Sequence, residues 1–73
     1  MTYTTYKNGR PATQDERWGA IQADQRIRSK HLTDEVYQEA EDGAGWVLAE
    51  AKRKAEDEIG RWRAANGMTT ILE

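Results

Sequence analysis

From Thr33 to Asn66 the apolar and small residues fall at Val36, Ala40, Ala44, Val47, Ala51, Ala55, Ile59, Trp62 and Ala65. Each step is three or four residues, so one helical face is sustained through about eight turns. A chain that commits its apolar residues to such a stripe is committed to helix. Asp42-Gly43-Ala44-Gly45 interrupts it, because each glycine inside a helix costs about 1 kcal/mol relative to alanine. The sequence therefore predicts a break, with one short helix from Asp34 to Glu41 and a longer one from Gly45 to Asn66. The break lets Trp46, Val47 and Leu48 fold back toward Trp18 and Val36. The competing reading is one straight helix of ~50 Å, since the stripe keeps its phase across the glycines.

An earlier helix has a clear start. Thr13 with Glu16 three residues on forms a capping box, and Asp15 and Glu16 place acids in the first turn, where the helix dipole favours them. Trp18 and Ile21 share a face that Gln22 and Gln25 continue in polar form. The helix is expected to fade between Ala23 and Arg28, leaving Arg28-Ser29-Lys30-His31 as a loop or frayed turn. Thr33 caps the next helix with Asp34 and Glu35 behind it, and Asn66-Gly67 is a stop signal. Residues 1–12 read as an arm. Thr2 to Tyr6 favours extended structure, but Asn8-Gly9 makes a hairpin turn only if an apolar strand follows, and none does. A flexible tail is preferred, and a short strand paired with Thr69 to Leu72 is the rival. The expected fold is mainly α: a small two- to three-helix domain over 13–66, with flexible or docked arms at 1–12 and 67–73. A short terminal β pairing is the variant of that fold.

Composition limits function. A chain of 73 residues holds one small core, and its nine branched aliphatics with no Phe approach the disordered range. The net charge of −2 argues against a fully disordered coil. Without Cys there is neither a disulfide nor a thiolate zinc site, and a lone His31 builds no His-rich metal centre. No metal or cofactor is expected. The N-terminal residues lack the apolar core of a signal peptide, and the longest apolar run is Trp46 to Ala49. The expectation is a cytoplasmic protein that does not enter a membrane. His31 lacks a recognisable catalytic neighbour, and the pairs Asp34-Glu35 and Glu41-Asp42 read as caps and solvated faces. Gly43 and Gly45 have no preceding strand and no following Lys-Ser or Lys-Thr, so they form no phosphate loop. The chain is expected to bind rather than catalyse.

Charge is distributed unevenly. Residues 1–31 hold six bases against three acids, leaving +3, and residues 32–73 hold five bases against ten acids, leaving −5. From Asp34 to Glu50 there are six acids and no base. Lys52-Arg53-Lys54 followed by Glu56-Asp57-Glu58 reads as a solvated face with pairs such as Lys52–Glu56 and Lys54–Glu58. Segregated charge steers a charged partner and fixes its orientation. The candidate contact residues are therefore the acids Asp34, Glu35, Glu39 and Asp42, flanked by the bases Arg26, Arg28 and Lys30. Arg26, Arg28 and Lys30 could also touch nucleic-acid phosphates in a helix-turn-helix arrangement. The acids of the second helix would then meet the same phosphates, so direct DNA contact is the weaker reading. Trp18 and Trp62 are assigned to the core. Trp46, with Tyr37, is assigned as an interface anchor beside the acidic segment.

In its size, its charge and the run His31-Leu32-Thr33-Asp34-Glu35-Val36-Tyr37 with Gly43-Ala44-Gly45-Trp46, the chain resembles the small phage-encoded regulators of host RNA polymerase, such as one from a lytic Xanthomonas phage. The resemblance implies a protein that docks on bacterial RNA polymerase, inhibits initiation and lets elongating polymerase pass terminators. It transfers no individual binding residue. An antidefence inhibitor would use the same physics, and a small DNA-binding repressor is the alternative from another class.

Overall fold

The computed structural model describes residues 1–73. The elements in order are β1 (Tyr3–Lys7), β2 (Arg10–Pro11), α1 (Gln14–His31), α2 (Asp34–Glu41), α3 (Gly45–Ala65) and β3 (Met68–Leu72). The molecule is mainly helical, and its two termini meet in a three-stranded antiparallel sheet of order β2-β1-β3. No helix is long and apolar enough to cross a membrane.

The N-terminal arm is a strand rather than a tail. β1 runs against β3 in the register Tyr3–Leu72 to Lys7–Met68. Asn8 and Gly9 have φ of 53° and 81°, and positive φ at both central residues is what a tight two-residue hairpin requires. The strand that follows is only Arg10 and Pro11, so backbone pairing sets the turn where an apolar strand was looked for. Glu16 then ties β2 to α1. Its carboxylate accepts two hydrogen bonds from Arg10, at 2.9 and 3.0 Å, and one from the Thr13 N–H at 2.8 Å. Thr13 Oγ1 in turn accepts from the Glu16 N–H, completing the capping box.

Helix α1 continues to His31, past the point where the sequence suggested fraying. Its inner face is Ala20, Ala23 and Ile27, so its hold on the core comes from two alanines and one isoleucine. Arg28, Lys30 and His31 sit in the last turn, where positive charge complements the dipole. They also reach across to α3: Arg28 pairs with Glu56 at 3.0 Å, while Lys30 and His31 meet Glu58 at 3.0 and 3.1 Å. The acids of α3 thus serve the neighbouring helix, and the anticipated Lys52–Glu56 and Lys54–Glu58 pairs do not form. Trp18 and Ile21 are on the outer face of α1, 58% and 47% exposed, so Trp18 is not a core residue.

The glycine break occurs as the sequence indicates. α2 ends at Glu41, Gly43 takes φ 105°, and α3 begins at Gly45. On α3 the stripe buries Ala51, Ala55 and Ile59. Two small clusters make up the core, Ala12–Ala20–Met68 under the sheet and Ile27–Ala55–Ile59 between the helices. Half-buried Trp62 packs against both and joins them. Gly67 returns the chain to the sheet with φ 66°, and a side chain there would collide with Asn8 Oδ1. The elongated result measures 45 × 23 × 17 Å.

Candidate protein-docking surface

Helix α2 is capped by Thr33, whose Oγ1 accepts from the Val36 N–H at 3.3 Å. Asp34 and Glu35 occupy its first turn, where the free backbone N–H groups favour carboxylates. None of its eight residues is buried. Val36 and Ala40 are half-buried on the inner side, while Tyr37 is 46% exposed. Asp42 caps the C-terminal end and accepts a hydrogen bond from Gln38 Nε2 at 3.4 Å.

The carboxylates of this helix stand apart from the rest. Asp34, Glu35, Glu39, Glu41 and Asp42 have no basic partner within 4 Å. Six of the other eight acids are paired with bases: Glu16, Asp24, Glu50, Glu56, Asp57 and Glu58. Glu73 is held instead by the hydroxyls of Tyr6 and Thr4, leaving only Asp15 comparably free. Pairing is visible in the acidities. Glu16 is lowered to about 2, chiefly by the Arg10 hydrogen bonds and then by the Thr13 N–H. Arg53 lowers Glu50, and Lys30 followed by His31 lowers Glu58.

Between α2, the start of α3 and the end of α1 runs an open groove of about 400 Å³. Val36, Val47, Ala51 and Trp46 supply its apolar surface, with Glu39 and Glu50 among the acids and Lys30, His31 and Lys54 among the bases. The α2–α3 turn places Glu39 beside Trp46, and the opposite end of α2 lies next to the α1 C-terminus. Trp46 is 73% exposed. After the break Trp46 lines the same groove as Val36, while Trp18 lies outside it.

Of the nine residues singled out from the sequence, the groove gathers Lys30, Glu39 and Trp46. Asp34, Glu35, Tyr37 and Asp42 lie on the same helix or its cap, outside the groove. Arg28 is drawn onto Glu56, and Arg26 is exposed on α1 with no acid within 4 Å. Sequence reasoning missed Val47, Glu50, Ala51, Lys54 and His31 as groove residues. The signal was present on α3, where Trp46, Val47, Glu50, Ala51 and Lys54 share one helical stripe. No group of three or more His, Asp or Glu is placed to hold a metal ion. Comparison with family models, curated proteins and solved structures gives no match to this chain.

Proposed function

We propose that the chain is a small non-catalytic regulator that docks on a protein partner through the α2 end, with bacterial RNA polymerase as that partner. The observation that carries the docking reading is the coincidence of five unpaired carboxylates on α2 and its cap with an adjacent Trp46 that is 73% exposed. Unpaired acids lose little on meeting a basic surface, because no internal ion pair has to break first. An exposed tryptophan beside them supplies the apolar contact that charge steering lacks. Polymerase enters through the resemblance of the His31–Tyr37 and Gly43–Trp46 runs to phage regulators. On this reading binding occludes or repositions an element of polymerase, such as its contact with sigma, and so inhibits initiation and favours antitermination.

Direct DNA binding has less support. The helix that would enter a groove carries four acids and no base, with a fifth acid, Asp42, at its cap, and two of the three candidate phosphate contacts, Arg28 and Lys30, are paired with α3. The experiment is direct binding of the purified chain to bacterial RNA polymerase, followed by promoter-initiated and terminator read-through transcription. Saturable binding with loss of initiation supports the proposal. Absence of binding to core and holoenzyme ends it, and salt-sensitive binding to DNA alone would favour the repressor.

A further inference from the structure

The two edges of the sheet are built differently. β2 consists of Arg10 and Pro11, a charged residue and one without an N–H, and both discourage addition of another strand. β3 is five residues long, Met-Thr-Thr-Ile-Leu, with no charge and no proline. Thr69 to Leu72 are all exposed, Ile71 to 47% and Leu72 to 50%. The register says which backbone groups are free. Thr2 and Glu73 exchange both backbone hydrogen bonds, each 2.7 Å. Antiparallel ladders alternate bonded and non-bonded pairs, so Thr4–Ile71 and Tyr6–Thr69 are the bonded pairs that follow. The N–H and C=O of Met68, Thr70 and Leu72 consequently point away from β1, and no turn, loop or cap bond uses them.

We infer that this edge pairs with β3 of a second copy of the chain, antiparallel about Thr70, to give a continuous six-stranded sheet. The free groups at 68, 70 and 72 are symmetric about Thr70, which is the self-complementarity a two-fold interface needs. Thr70 then faces Thr70 of the partner subunit, and Leu72 faces Met68 of the partner subunit. Met68 is already buried in its own core, so backbone hydrogen bonds carry this contact. Charge selects the same surface: two α2 helices would repel through their unpaired acids, whereas β3 has no ionised side chain of its own and the Arg63 that reaches Thr70 Oγ1 at 3.4 Å is paired with Asp24. A five-residue ladder falls short of the ~1,200 Å² of a standard stable interface, so the dimer is weak and concentration-dependent.

Sedimentation equilibrium of the intact chain from about 10 μM to 1 mM is the test, a range suited to such weak association. The average mass should climb from 8.4 kDa toward twice that value. Thr70→Pro removes an outward N–H without touching the β1–β3 backbone ladder, and Ile71→Lys adds an edge charge. Each should weaken association at least tenfold with an unchanged helical circular dichroism spectrum. Amide exchange should slow at Thr70 and Leu72 as concentration rises, while Thr69 and Ile71 stay protected throughout. A chain that remains monomeric across the range overturns the inference. So does a dimer that both variants leave intact, or one whose formation leaves exchange at Thr70 and Leu72 unaltered.

Discussion

The two ends of this molecule solve the problem of a scarce apolar supply in opposite ways. At the sheet end, backbone pairing joins the termini, Trp62 fills the space over Met68 and Ala20, and the acids other than Asp15 are answered. Glu16 has Arg10, Asp24 has Arg63 at 2.7 Å, and Glu73 has Tyr6 and Thr4. On α2 no residue is buried, its acids have no internal bases, and the neighbouring Trp46 stands largely in solvent. A small chain that leaves Trp46 73% exposed forgoes the stability its burial would add. The difference separates a part that holds the fold from a part free to meet something else.

Substitutions at each end should have unequal costs. Ile59→Ala, in the helix core at 5% exposure, should lower stability by about 2–4 kcal/mol in urea denaturation, and much of the population should unfold. Trp46→Ala should change the same measurement by no more than about 0.5 kcal/mol, as surface substitutions do. Equal losses at the two positions would erase the distinction. Gly67→Ala comes next, at about 1–2 kcal/mol, because alanine resists the left-handed backbone that Gly67 adopts where α3 turns into β3.

Neutralising α2 sharpens the other half. The triple variant Glu35→Gln, Glu39→Gln and Glu41→Gln should bind polymerase about tenfold more weakly, about 1.4 kcal/mol, mainly through slower association. Its denaturation midpoint should hardly move, since no internal ion pair is lost and the first-turn contribution of Glu35 is offset by removing the Glu41 charge from the C-terminal end. The smallest effect is the acid dependence of the sheet end. Glu16 is lowered from 4.5 to about 2, so its stabilising contribution is complete above about pH 4.5 and is lost as the pH falls toward 2. Thermal unfolding of the wild type across that window should show a decline that Arg10→Ala flattens.

Much of this architecture was legible in local chemistry. The caps at Thr13 and Thr33, the break at Gly43 and the stop at Gly67 each depend on a few neighbouring residues, and each appears where the sequence places it. What was not legible depended on distant partners. α1 reaches His31 because Ile27 packs against Ala55 and Ile59, and because Glu56 and Glu58 meet its final turn. Nothing within Arg26 to His31 announces that. The arm's pairing with Met68–Leu72, the rival reading of the sequence, prevails over the flexible tail because of a partner strand more than sixty residues away. Trp18 misled for a related reason: a large aromatic suggested core, yet the alanines Ala20 and Ala23 form the face that packs inward. The docking surface was half readable, since charge and Trp46 were visible while Lys54, Val47 and His31 entered it only through the α2–α3 fold-back.

We propose that the α2 end docks on polymerase with Trp46 as its anchor. Titration of bacterial RNA polymerase with the wild-type chain, Trp46→Ala and Trp18→Ala, read by biolayer interferometry, tests it most directly. Trp18 is the matched control, an exposed tryptophan on the outer face of α1. Trp46→Ala should lose at least tenfold in affinity, and Trp18→Ala should bind near the wild-type level. Equal binding by both variants, or loss at Trp18 alone, would contradict it.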